Sequence, residues 1–294
     1  MFEVGVRITF GLDEQKGTMD GGISSLEEKF QAAAKLGIYS CQLNMWSQSL
    51  FTDENAEIVK DISKRTGVKI SGLWAGWSGP CEWNFNVGPE VLGLVPPAYR
   101  GQRTKELIMA SEFAQKIGVT DIITHCGFLP ENPNDPNFMG VVGALRKICG
   151  VMKERGQYFL FETGQETPIT IVRTIEAVGT GNLGINLDTG NLILYGKANP
   201  VDALYTFGKY VRNTHIKDGF YPTEPMTLGR TVETGTGMVD FPKLIAKLKE
   251  LNYQGPLTIE SELSAAISNE EERFKNIITS KKLLDKIKAE QGIE

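Results

Sequence analysis

Along the chain, short runs dominated by apolar and β-branched residues alternate with longer stretches in which apolar residues recur every three to four positions. The first pattern marks strands and the second amphipathic helices. Candidate strands are Glu3 to Phe10, Ser40 to Trp46, Lys69 to Trp74, Asp121 to Gly127, Tyr158 to Thr163, Leu183 to Asp188, Val211 to Lys217 and Pro256 to Glu262. A helical stretch follows each: Ser24 to Leu36, Asp53 to Thr66, Ala98 to Ile117, Phe138 to Arg155, Thr167 to Val178, Pro200 to Tyr210, Asp240 to Leu251, and a charged last helix from about Glu270 to Ala289. Gly37, Gly67, Gly118 and Gly156 follow the last turns of their helices, where glycine adopts the left-handed conformation at little cost.

Eight strand-then-helix units with right-handed crossovers close into a parallel (β/α)8 TIM barrel, with its functional residues at the C-terminal ends of the strands. No linker divides the pattern, so residues 1–294 are expected to form one barrel domain. A doubly wound open sheet is the alternative. It ranks lower because Phe10-Gly-Leu-Asp-Glu-Gln-Lys-Gly17 lacks the glycine-rich phosphate turn expected after its first strand.

Composition narrows the function. A hydrophobic share of 41% and a net charge of −5 suit an ordinary globular protein and argue against nucleic acid or an anionic membrane as partner, since both need clustered positive charge. The start of the chain lacks a basic region followed by an apolar signal core, and the four cysteines, Cys41, Cys81, Cys126 and Cys149, show no metal-knuckle or disulfide spacing. A cytoplasmic protein with reduced thiols is the expectation.

Side-chain alternation within the late strands then brings out chemistry. In Pro256-Leu-Thr-Ile-Glu260 the apolar Leu257 and Ile259 face the helices, leaving Thr258 and Glu260 inward. By the same parity Asn186 and Asp188, Glu162, and Asn213, His215 and Lys217 face in. Four consecutive strands thus each finish with one inward metal-capable side chain: Glu162, Asp188, His215 and Glu260. Neighbouring strands lie about 4.8 Å apart, so three uncompensated carboxylates there would repel one another. A divalent cation is the simplest remedy. Three oxygen donors and one imidazole suit Mn²⁺ first, with Co²⁺, Mg²⁺ or Zn²⁺ as alternatives, and do not suit a cysteine-rich structural zinc site. Glu262 shares the parity of Glu260 and is its rival if the register differs.

Glu162-Thr-Gly, Leu187-Asp-Thr-Gly-Asn191, Thr214-His-Ile-Lys-Asp218, Gly235-Thr-Gly-Met-Val-Asp-Phe241 and Tyr253-Gln-Gly-Pro-Leu-Thr-Ile-Glu260 resemble the successive motifs of the xylose isomerase-like TIM-barrel superfamily, the sugar phosphate isomerases/epimerases. The resemblance covers nearly the whole chain. It implies one metal ion held by Glu162, Asp188, His215 and Glu260, with Glu162 and Glu260 as an acid/base pair acting on a keto-sugar or sugar phosphate. A lyase that eliminates a β-substituent from a keto-sugar, keto-polyol or 3-keto-glycoside is the runner-up, and a non-catalytic sugar-binding protein the third reading. The superfamily's apurinic-site endonucleases bind several zinc ions through many histidines, whereas this chain has 2. The resemblance also implies a homo-oligomer, dimer or tetramer, with a second small subunit in some relatives. Asn191 stands where ketose 3-epimerases tend to carry histidine, and their arginine after the metal histidine falls near Tyr221, so the substrate is expected to differ.

Candidate substrate contacts are His125 at the end of the fourth strand, Lys217, Asn191, and Trp74 and Trp77 in a tryptophan-rich loop that also holds Trp83. Aromatic planes pack against sugar C–H faces, although packing within the loop itself accounts for at least one of these rings. Lys217 could neutralise a substrate anion or pair with Asp218. Asn213 and Thr258 are assigned to the filled barrel interior.

Overall fold

The computed structural model describes residues 2–13, 18–20, 22–261 and 270–293. Eight parallel strands close a barrel in sequential order: β1 (Val4–Thr9), β2 (Ser40–Met45), β3 (Lys69–Ala75), β4 (Asp121–Thr124), β5 (Tyr158–Glu162), β6 (Leu183–Asp188), β7 (Val211–Ile216) and β8 (Leu257–Ile259), with β8 pairing back to β1. The main helices are α1 (Gly22–Lys35), α2 (Asp53–Thr66), α3 (Pro97–Lys116), α4 (Pro136–Glu154), α5 (Pro168–Val178), α6 (Pro200–Phe207), α7 (Phe241–Glu250) and α8 (Glu270–Glu290). The molecule is a single (β/α)8 TIM barrel, and among the described residues no helix is long and apolar enough to cross a membrane.

Local chemistry sets the boundaries. Proline occupies the first turn of α3 to α7, where its missing N–H has no helical partner to lose. Thr52, Asp135, Asn199 and Asp240 cap the following helices with their side-chain oxygens. Gly67 ends α2 at φ 73°, a conformation that a β-carbon would strain.

Parity along the strands separates two cores. Outward residues such as Val6, Leu43, Phe161, Leu187 and Ile259 are buried against the helix ring. Burying each such side chain contributes about 1.5–3 kcal/mol. The inward layer is largely polar: Gln42, Asn186, Asn213 and Thr258 fill it, as expected for Asn213 and Thr258. Inward glycines make room for these side chains. A β-carbon on Gly72 would lie 2.8 Å from the Ile123 side chain, and one on Gly184 would lie 2.7 Å from Leu160.

Beyond β7, the antiparallel ribbon Asp218–Phe220 with Arg230–Val232 rises beside the barrel mouth. Asp218 anchors it by accepting backbone N–H bonds from Gly219, Gly235, Gly237 and Val239 at 2.8 to 3.1 Å. Its carboxylate is fully engaged there, so Lys217 does not pair with it. The Lys217 ammonium turns into the barrel mouth instead.

Candidate active site

Glu162 ends β5, Asp188 ends β6, His215 lies one residue before the end of β7, and Glu260 follows β8. In the ladder Asp188 lies opposite His215, and His215 opposite Thr258. Glu260 therefore sits two residues further up its strand, and strand tilt closes that gap. One ligand atom from each of Glu162, Asp188, His215 and Glu260 lies within 4.8 Å of the others, all of them buried. Glu262 lies outside the described residues.

Threonines in the strand-end motifs staple the tips together. Thr163 Oγ1 accepts the Asp188 N–H and donates to the Asp188 carbonyl, both at 2.9 Å, tying β5 to β6. Thr189 Oγ1 donates to the Lys217 carbonyl at 2.6 Å and accepts its N–H at 3.2 Å, tying β6 to β7. Asp188 also caps the short helix Thr189–Leu194: its Oδ1 accepts the Asn191 N–H at 2.7 Å. That bond fixes the carboxylate plane and turns Oδ2, which has no hydrogen-bond partner, toward the other donors.

The electrostatics could accommodate a cation. His215 Nδ1 faces Glu162 Oε1 at 3.0 Å, Glu260 Oε2 at 3.2 Å and Asp188 Oδ2 at 3.7 Å. Burial alone would depress the imidazole, but Glu260 and Glu162 outweigh it and hold its pKa well above the ordinary histidine value. Burial pushes Asp188 up to about 7 although Lys217 pulls the other way. Protons thus collect where a metal would sit. The unpartnered Oδ2 and the crowded oxygens around one ring nitrogen fit a divalent ion with mixed oxygen and nitrogen ligands.

Above this cluster opens a cavity of about 260 Å³. Of the residues singled out in the sequence, Glu162, Glu260, His125, Lys217, Trp74 and Asn191 line it. Asp188 and His215 belong to the cluster but do not line the cavity, each with no exposed surface. Trp77 is a correction: it does not line the cavity but packs behind Trp46 and Trp74, with the guanidinium of buried Arg103 over its ring. Trp83 takes the wall position instead, tilted against His125 at 4.9 Å.

The sequence profile of the family described as xylose isomerase-like TIM barrel matches residues 30–284. The chain belongs to this family. A xylose isomerase domain protein from Planctomyces limnophilus superposes on it with a TM-score of 0.87 at 28% identity, covering 98% of each chain. The 3-keto-D-glucoside 4-epimerase of E. coli shares the fold with a TM-score of 0.67 at 16% identity, covering 96% of this chain and 100% of that one. Inosose dehydratase of Geobacillus kaustophilus is 24% identical over 151 residues, 46% of this chain and 49% of the relative. The chain thus matches about half the length of that relative.

In this xylose isomerase-like barrel the early strands supply residues that the late-strand reading passed over. Arg7 from β1 pairs with Glu260 Oε1, and Asn44 from β2 lines the same wall. Gln42 reaches the ring of His215 from below. The same parity test, applied to Val4-Gly-Val-Arg7 and Ser40-Cys-Gln-Leu-Asn44, turns Arg7, Gln42 and Asn44 inward. Leu194, Tyr195, Leu228, Gly229 and Thr231 complete the lining from segments outside the barrel strands.

Proposed function

We propose that the protein is a divalent-metal-dependent isomerase or epimerase of a keto-sugar or sugar phosphate. One observation carries this reading: four buried donors within 4.8 Å of one another open onto a cavity whose lining includes two of them, Glu162 and Glu260. At about 260 Å³ the cavity falls near the lower end of ligand pockets, roughly 300–1,000 Å³, which suits one sugar ring and not a polymer.

Glu162, Asp188, Glu260 and His215 through Nδ1 would hold the ion. When bound, it supplies Lewis acidity that polarises a carbonyl and a neighbouring hydroxyl. The remaining steps belong to the side chains. Glu162 removes the proton from the carbon beside the carbonyl, and Glu260 relays to the opposite face a proton drawn from the Lys217 ammonium 3.5 Å away, which solvent then replaces, inverting that centre. Trp74 Nε1–H donates to Glu162 Oε2, and His125 Nε2 lies 3.5 Å from Glu162 Oε1, so two neutral groups orient that base. Burial keeps His125 below the ordinary histidine pKa, which leaves the ring neutral. Its buried Nδ1 has no partner and is available to a substrate hydroxyl. Lys217 Nζ, 3.2 Å from Asn191 Oδ1 and 3.5 Å from Glu260 Oε2, faces the same space.

Dehydration is the second reading, supported by the inosose dehydratase relatives and by Lys217, an acid placed to protonate a departing hydroxyl beside Glu260. A screen of keto-sugars with Mn²⁺ in D₂O separates the two. Epimerisation places deuterium on carbon with the hydroxyls conserved, whereas elimination releases water or a fragment. No turnover and no exchange across the screen, with the sugars still bound, would leave a sugar-binding protein.

A further inference from the structure

We propose that Gln42 is a positioning residue that fixes the tautomer of His215, placing the proton on Nε2 and keeping Nδ1 for the ion. The proposal rests on the reading of His215 as an ion ligand and adds what makes it one.

The polarity of each link follows from backbone groups that cannot be turned over. The Thr214 N–H donates to one side-chain atom of Asn213 at 3.1 Å, so that atom is the oxygen. The other end of the Asn213 amide lies 3.2 Å from the Ser71 carbonyl and is therefore the nitrogen. Gln42 meets the Asn213 oxygen at 2.7 Å and the Thr214 carbonyl at 3.4 Å with the same atom, which must be its NH₂ group. A third acceptor, Asn186 Oδ1, lies 2.9 Å from that nitrogen. The amide oxygen of Gln42 is left to face His215 Nε2 at 2.6 Å, and only a protonated Nε2 can complete the contact. Gln42, Asn186 and His215 have no exposed surface and Asn213 has 1%, so no solvent competes for these bonds.

The consequence appears at the other ring nitrogen. With one proton held at Nε2, Nδ1 is the nitrogen that would give up its proton to a bound ion, and it points among the oxygens of Glu162, Glu260 and Asp188. The barrel interior is thus the outer support of the proposed ion site, as carboxylates or carbonyls are for other metal-bound histidines.

The test uses Gln42→Leu and Gln42→Glu beside the wild type. A buried glutamic acid in its protonated form presents the same acceptor to Nε2 and a donor to Asn213 Oδ1, so it serves as the conservative variant. The first readout is the long-range ¹H–¹⁵N spectrum of the Mg²⁺-loaded protein. With only 2 histidines in the chain, a His125 variant assigns the signals. Wild type and Gln42→Glu are expected to show His215 protonated at Nε2. The second readout is Mn²⁺ affinity by calorimetry, expected to fall about 10- to 100-fold in Gln42→Leu and to stay within a few-fold of wild type in Gln42→Glu. A wild-type proton on Nδ1, or full affinity in a folded Gln42→Leu protein, would overturn the proposal. A wild type that binds no divalent ion would instead sink the functional reading. The metal-free spectrum above the imidazolium titration then still decides Gln42, because an Nδ1–H ring overturns its assigned part.

Discussion

Glu162 and Glu260 occupy matching places at the tips of β5 and β8, yet their surroundings differ in kind. Neutral groups hold Glu162: the indole of Trp74 and the imidazole of His125, in a wall continued by Trp46 and Trp83. Cations hold Glu260: Arg7 on Oε1, with Lys217 3.5 Å from Oε2. Burial opposes ionisation of both. Lys217, His215 and Arg7 outweigh it at Glu260 and set its carboxyl well below the ordinary range, while Glu162 is displaced less in the same direction. Two carboxylates contributed to one cluster are therefore unequal bases. In these terms Glu162 is the stronger proton acceptor, and Glu260 the one kept charged across the widest pH range.

The largest effect is expected from neutralising either acid. Glu162→Gln and Glu260→Gln should each lower turnover by about 10²–10⁴-fold with little change in melting temperature. Normal turnover in either variant would remove it from the acid/base pair. Acidification comes next. Asp188 and His215 must each lose a proton to ligate, and His215 is held well above the ordinary histidine value while Asp188 sits at about 7, so as pH is lowered Mn²⁺ affinity should fall about tenfold per pH unit above that point and more steeply below it. Calorimetry from pH 8 to pH 5.5 checks it, and a flat profile would contradict the assignment. Removing a cation from one side sharpens the contrast. Arg7→Met should raise the Glu260 pKa by about one unit, read by NMR titration of that carboxyl, whereas Trp74→Phe should leave the Glu260 titration in place. The smallest effect is that of Trp74→Phe on rate, about tenfold for the loss of one hydrogen bond to a charged group.

The four donors were legible in the sequence because strand alternation is a strict geometric rule and each donor shares its strand with apolar residues that declare the outer face. Ile185 and Leu187 fix the direction of Asp188, and Leu257 and Ile259 that of Glu260. Arg7 obeys the same rule on β1, outside the late strands whose alternation brought out the four donors. Trp77 was misplaced for a different reason: it lies past the end of β3, where the path of the loop and the Arg103 guanidinium, and no repeat along the strand, decide where a ring points. Lys217 and Asp218 are neighbours in the chain, but Asp218 meets the backbone of residues 219–239 and Lys217 meets the cavity. Sequence adjacency offered no sign of that division.

The amides stacked inside the barrel bear on whether such a site can be transplanted. An eight-stranded scaffold filled with branched aliphatics could be given the two glutamates, the aspartate and the histidine at equivalent tips. Without a glutamine rising from the second strand, itself pinned by an asparagine on the seventh, the grafted ring would be free to turn over. The graft would copy the ligands and lose the pillar beneath them.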